Sequence, residues 1–240
     1  ILEEAIKVTE GKVPIIAGVT SSSTEHVLER SKFAEQLGIS SIMAMPPMGY
    51  ASEKDFYKFY EDLSKGINID IWIQNNKMPA GPTVPNNILT KIINEIDNVS
   101  FLKEESGNSS QVHTIIKNNC KENLKSIMGG AGGRFIIDEY RRGSNGIMPS
   151  GHMLEAHRVL WDSLILSKEN EVNTDAIEIW NKMLEALNFE FMYSVSAYKY
   201  FFWKRGIIRT NISREPFKQL DDFDMIEADR ILDRLENNFF

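Results

Sequence analysis

Cysteine is nearly absent, because the 240-residue sequence contains a single one, Cys120. One cysteine cannot form a disulfide within the chain, and no spacing of cysteines and histidines resembles a zinc site. The sequence therefore predicts a protein of a reducing compartment, which we expect to be the cytoplasm, with no bound metal.

Long apolar runs and clustered positive charge are also lacking. No apolar stretch approaches the ~18 residues that a membrane span needs, and the first residues, ILEEAI, are acidic where a signal peptide would be basic. The 27 Lys and Arg residues are scattered and outnumbered by 34 Asp and Glu, for a net charge of −7. These absences argue against membrane insertion and against nucleic-acid binding.

Short apolar runs alternate with segments of helical periodicity between residues 13 and 168. The runs predict six strands, at 13–19, 41–45, 69–73, 99–102, 126–128 and 146–148. The intervening segments predict helices at 24–38, 53–66, 86–97, 108–119, 133–142 and 153–167, the first capped by Thr24. This alternation is typical of a parallel sheet covered by helices on both faces.

The alternation stops at Lys168, and an aromatic-rich tail follows. Turn signals at Gly206 and Pro216 help to divide the tail into predicted helices at 173–188, 190–205 and 223–237. The predicted organisation is a (β/α) portion over 1–168 and a C-terminal three-helix extension over 169–240. The aromatic side chains favour helix packing and a contact between subunits.

Six strand–helix units fit neither of the common parallel architectures directly. An open doubly wound sheet normally carries a glycine-rich phosphate loop after its first strand, and AGVTSSST has one glycine. A closed TIM (β/α)8 barrel needs eight units. ILEEAIKVTEGK reads as the second half of an amphipathic helix, so we expect a TIM barrel whose first two strands lie upstream of Ile1.

A lysine follows the fourth predicted strand, in the sequence FLKEESGN. Lys103 has two interpretations. In the first, it is a structural lysine that reaches solvent or pairs with a neighbouring carboxylate. In the second, it lies in a barrel mouth where the free amine attacks a ketone to form a Schiff base.

Several segments together resemble the dihydrodipicolinate synthase / N-acetylneuraminate lyase superfamily: IAGVTSSSTEHVLERSKFAEQLGISSIMAMPPMGY, FLKEESGNSSQV, GSNGIMPSG and KYFFWKRGIIRTNISREP. The resemblance implies that Lys103 forms a Schiff base with pyruvate or a 2-keto-3-deoxy acid, without a cofactor. It also implies that the backbone at Met148 touches bound pyruvate, and that the protein is a homotetramer or homodimer.

Some positions depart from the family pattern. Gln74 occupies the place of the family's proton-shuttling tyrosine, and glutamine cannot act as a general acid or base near neutral pH. A second family tyrosine aligns with Met48, although Tyr50 is close enough to supply it. The family arginine is missing, and Lys77, with Asn75 before it, is the nearby group expected to contact substrate.

Glu105 lies two residues past Lys103 and projects to the same side if the strand continues. It orients the lysine or takes the proton that tyrosine handles elsewhere, or it is one half of a structural ion pair.

Gly129 and Gly130 begin a glycine run that ends the fifth predicted strand of this chain. Their backbone N–H groups suit a substrate carboxylate, or the glycines merely permit a tight turn. The four histidines are expected to be structural or surface residues, because His152 and His157 are five apart and cannot share a metal as an i, i+4 pair does. His26 and His113 fall on predicted helices.

Three functions are consistent with these residues. The first is a class I aldolase-type lyase that uses Lys103. The second is a dehydratase acting on a 2-keto-3-deoxy sugar acid, and the third is a non-catalytic barrel that binds a 2-keto acid.

Overall fold

The computed structural model describes residues 1–120, 122–168, 171–214 and 218–240. The chain forms two compact units, the first made of Ile1–Met128 with Gly143–Asn145, and the second of Gly129–Arg142 with Gly146–Phe240. The boundary predicted at residue 168 does not coincide with this division. The reason is that Leu160 and Leu164, before that boundary, share one buried apolar core with residues that follow it.

A five-stranded sheet forms the centre of the first unit, and its strands follow chain order. They are β1 (Ile16–Gly18), β2 (Ser41–Ala44), β3 (Asp70–Asn75), β4 (Val99–Glu104) and β5 (Ser126–Gly129). The pairs from β1 to β4 are parallel, as predicted. The sixth predicted strand, at 146–148, is reduced to one bridge between Gly129 and Ile147. Pro149 follows it and has no N–H with which to extend a ladder.

Helices α1 (Leu2–Thr9), α2 (Thr24–Gln36), α3 (Glu53–Gly66), α4 (Asn86–Glu95) and α5 (Ser109–Asn119) belong to the same unit. Their apolar side chains form one core with the strands, and this core includes Leu63 of α3, Leu89 of α4 and Ile73 of β3. Helix α2 starts at Thr24 as predicted, but its capping residue differs from the prediction by one position.

Ser23, and not Thr24, caps α2, because its Oγ accepts a hydrogen bond from His26 N at 3.3 Å. The extended backbone of Ser23 suits a cap, whereas Thr24 is already helical. The Thr24 hydroxyl instead pairs with the Tyr50 hydroxyl at 2.8 Å.

The register between β3 and β4 shifts once. Ile71 faces Val99, but Trp72 faces Phe101, so that Ser100 is an extra residue in β4. Beyond this bulge Gln74 lies opposite Lys103. The stacked rings of Trp72 and Phe101, 4.5 Å apart, lie two residues before that pair.

The second unit is helical. It contains a short 3-10 turn at Ala131–Gly133 and then α6 (Ile136–Arg141), α7 (Leu154–Leu164), α8 (Thr174–Tyr193), α9 (Val195–Lys204) and α10 (Asp222–Phe239). Helix α8 continues past its predicted end at residue 188, because Phe189 and Tyr193 carry its buried face onward. The predicted turn at Gly206 follows α9, and Pro216 lies outside the described residues. Among the described helices, none has the length and apolar character to cross a membrane.

His152 lies inside the second unit between two aromatic rings. Its ring stacks on Phe201 at 5.3 Å and on Tyr198 at 5.1 Å, and its side chain is fully buried. Burial lowers the pKa of His152 to about 3, and the neighbouring His157 and Arg205 act in the same direction. The histidine is therefore neutral in the folded protein, as a packing residue should be.

Stability should fall in acid because of this residue. The unfolded chain binds a proton at His152 below pH 6.5, whereas the folded chain does not until about pH 3. Between these limits His152 should lower the free energy of unfolding by about 1.4 kcal/mol for each unit by which the pH falls. Denaturant unfolding at several pH values, compared with His152→Gln, measures this slope, and equal slopes in the two proteins would contradict the assignment.

Candidate active site

Three polar side chains meet at the carboxyl ends of β3 and β4. Lys103 and Gln74 face each other across the ladder, and Glu105 follows Lys103 by two residues. The ladder continues past β4 because Glu105 N donates to Asn75 O at 2.8 Å. Side chains alternate along a strand, so Glu105 lies on the same side as Lys103.

The two oxygens of the Glu105 carboxylate have different partners. Oε1 lies 3.2 Å from Lys103 Nζ, and Oε2 accepts a hydrogen bond from Gln74 Nε2 at 2.8 Å. Asn76 Nδ2 makes a longer contact of 3.5 Å with Oε2. The Lys103 and Glu105 side chains are only 14% and 13% exposed, so solvent screens this pair far less than a surface ion pair. Sequence reasoning missed Asn76, whose only signal is its position one residue past the end of β3.

On the opposite face of β3 and β4, buried side chains at the strand ends fix the loop that follows β3. Asn75 is fully buried, and its Nδ2 donates to Glu104 Oε2 at 2.7 Å while its Oδ1 accepts from Val84 N at 2.8 Å. Burial raises the pKa of Glu104, and hydrogen bonds from Ser106 and Asn75 oppose that rise. Both ends of the Asn75 amide are thus bonded within the fold, and a substrate contact at Asn75 stays a prediction.

Replacing Asn75 should destabilise the protein markedly. Asn75→Ala removes one hydrogen bond to a buried carboxylate and another to a buried N–H, which should cost about 2 kcal/mol or more of unfolding free energy. Asn87→Ala is the matched control, since Asn87 donates to Glu53 at 3.0 Å on the surface and its loss should cost less than about 0.5 kcal/mol. Denaturant titration measures both, and equal losses would contradict the role given to Asn75.

Tyr50 and Lys77 occupy two different environments. The Tyr50 hydroxyl is paired with Thr24, and its ring meets Phe59 edge-on at 6.1 Å. Lys77 is exposed, on the loop that begins after Asn75. Nothing in these contacts brings either residue to Lys103, so both remain predictions as substrate contacts.

Gly129, Gly130 and Met148 belong to the second unit. Met148 N donates to Gly129 O at 2.9 Å. A Cβ at Gly129 would overlap the Glu139 carboxylate, which is the physical reason for glycine there. A carboxylate at this point does not favour a second anion, and substrate contacts at these three residues remain predictions.

Two of the histidines are packed as expected. The ring nitrogens of His157 contact Met153 O at 2.9 Å and Gly132 O at 2.7 Å, and His113 is fully buried. His26 is exposed on α2. Within the described part of the chain, no three His, Cys, Asp or Glu side chains are grouped so that they could hold a metal ion.

The arrangement at the strand ends places a shielded amine beside one carboxylate. Such a carboxylate accepts the proton that the ammonium loses, and the free amine is a nucleophile toward carbonyl carbon. A parallel α/β fold with a reactive group at the carboxyl ends of its strands is typical of α/β-barrel proteins.

Solved structures of similar fold support the same architecture. Dihydrodipicolinate synthase from Aquifex aeolicus matches with a TM-score of 0.87 and 16% identity over 99% of this chain and 80% of that one. A chloride-inhibited dihydrodipicolinate synthase from Acinetobacter baumannii, complexed with pyruvate, matches with a TM-score of 0.85 and 18% identity over 98% and 79%. The fold is therefore that of a TIM barrel, as predicted.

The sequence comparisons then give the family. The model of the dihydrodipicolinate synthetase family matches residues 1–234, and this chain belongs to that family. A 4-hydroxy-tetrahydrodipicolinate synthase from Chloroherpeton thalassium is 31% identical over 120 residues, or 50% of this chain and 39% of the relative. The same enzyme from Clostridium perfringens is 31% identical over 113 residues, covering 47% and 38%. The match thus spans well under half the length of these curated relatives.

Proposed function

We propose that this protein is a class I aldolase-type lyase in which Lys103 forms a Schiff base with pyruvate or a 2-keto-3-deoxy acid. The observation that carries the proposal is the shielded Lys103 ammonium, 3.2 Å from the Glu105 carboxylate at the carboxyl end of β4. The family match and the pyruvate complex of a structural neighbour support the same substrate class.

The imine supplies the electron sink that this chemistry needs. Lys103 gives up a proton and attacks the ketone carbon; that proton returns as water leaves, so that the product is a protonated imine. The positive nitrogen then stabilises negative charge that develops on the adjacent carbon, so a bond to that carbon can break or form. This route uses the lysine itself and requires no added cofactor.

Borohydride trapping tests the imine directly. Reduction in the presence of pyruvate should add to the Lys103 peptide the mass of pyruvate, less one water and plus two hydrogens. Lys125 offers a matched control, because it lies one residue before β5 of the same sheet and pairs with Asp70 at 2.7 Å. Lys125→Arg should trap as well as the parent protein, whereas Lys103→Arg should not. An unmodified Lys103 peptide in the parent protein would overturn the proposal.

Thermal unfolding separates this enzyme from a barrel that only binds a keto acid. Pyruvate should raise the unfolding temperature of the parent protein, because a ligand that binds only the folded state stabilises it. Lys103→Ala should lose most of that rise if an imine forms. A rise that survives Lys103→Ala unchanged would favour non-covalent binding instead.

A further inference from the structure

Two side-chain amides approach one oxygen of the Glu105 carboxylate. Gln74 Nε2 donates to Oε2 at 2.8 Å, and Asn76 Nδ2 approaches the same oxygen at 3.5 Å. Both are amides, which donate hydrogen bonds at any working pH. Oε1 therefore faces Lys103 Nζ, while Oε2 faces the amides.

Gln74 orients the Glu105 carboxylate but cannot take over its chemistry. An amide neither gives nor accepts a proton near neutral pH, so Gln74 cannot perform proton transfer itself. The carboxylate of Glu105, 3.2 Å from Lys103 Nζ, is a group that can do so. Glutamine at position 74 and glutamate at position 105 thus act as a pair across the two strands.

We propose that Glu105 is the acid–base group of the imine chemistry at Lys103, and that Gln74 is a positioning residue that holds it. This inference rests on the proposed function. It assigns to a carboxylate one residue past the end of β4 the proton transfer that Gln74, on β3, cannot supply.

The proton balance closes at each step. Glu105 takes one proton from the Lys103 ammonium, and the free amine attacks the ketone carbon. The protonated Glu105 returns that proton to the ketone oxygen, and the regenerated carboxylate then carries one of the two protons left on the attached nitrogen to the same oxygen. The C–O bond breaks, the oxygen leaves as water, and a protonated imine with one N–H and an ionised Glu105 remain. The carboxylate then removes a proton from the carbon next to the imine carbon, the C–H electron pair forms the enamine double bond, and the imine nitrogen becomes neutral.

The geometry suits the last step. The carbon that loses its proton is two bonds from Nζ once the imine has formed. An oxygen placed 3.2 Å from Nζ is therefore within a short side-chain rotation of that proton. Low exposure of both side chains keeps water from competing for the same position.

Deuterium exchange at the methyl group of pyruvate reports this proton removal. In D2O the parent protein should exchange the methyl protons, as followed by NMR. Glu105→Gln keeps the size of the side chain and should slow exchange about 100-fold or more, the usual effect of removing a general base. Glu105→Asp keeps a carboxylate and should retain a measurable part of the rate.

Borohydride trapping, run in parallel, separates a failure of the proposed function from a failure of the role given to Glu105. Glu105→Gln keeps Lys103 and should still be trapped after prolonged incubation with pyruvate and borohydride, while its exchange should remain slow relative to the parent protein. Absence of trapping in the parent protein would overturn the proposed function. Trapping without exchange in the parent protein, or exchange in Glu105→Gln within about threefold of the parent, would overturn the role of Glu105 alone.

Gln74 and a distant carboxylate complete the test. Gln74→Met removes the hydrogen bond to Oε2 and should both lower the exchange rate about tenfold and shift the acid limb of its pH profile, a shift that a purely structural role would not produce. Asp70→Asn neutralises a carboxylate that pairs with Lys125 at 2.7 Å, at the start of β3, and should leave exchange unchanged. An unshifted pH profile in Gln74→Met would remove the positioning role.

Discussion

The pairing of β3 with β4 is the constraint on which the site depends. Gln74 lies beside Lys103 only because the bulge at Ser100 advances β4 by one residue. Without that extra residue Gln74 would face Leu102, and the lysine would lie beside Asn75. Since side chains alternate along a strand, a slip of one residue would send Lys103 and Glu105 toward the opposite face.

The same alternation separates structural groups from reactive ones. Asn75 and Glu104 point to the buried side and hold the loop after β3, where their hydrogen bonds are shielded from solvent. Gln74 and Glu105 point to the other side, where the lysine amine lies. Glu104 and Glu105 are the same residue type and adjacent in the chain, yet they have different roles because their environments differ.

The sequence was sufficient for the features that rest on periodicity. The strands from β1 to β5, the helices that follow them, and the common side of Lys103 and Glu105 all follow from alternating or helical patterns. It was not sufficient for features that depend on tertiary contacts. The bulge at Ser100 has no local signal, and Ser194, which ends α8 with a positive φ of 48°, is not a residue type that predicts such a turn. The choice between Ser23 and Thr24 as a cap likewise depends on the backbone, which is extended at Ser23 and already helical at Thr24.

A crystal structure of the chain after borohydride reduction with pyruvate would show whether Lys103 carries the reaction with Glu105 beside it. We expect continuous density from Lys103 Nζ to the former ketone carbon of pyruvate, with the Glu105 carboxylate against the adduct and Gln74 still bonded to Oε2. Density joined to another lysine, or a Glu105 side chain turned away from the adduct, would contradict it.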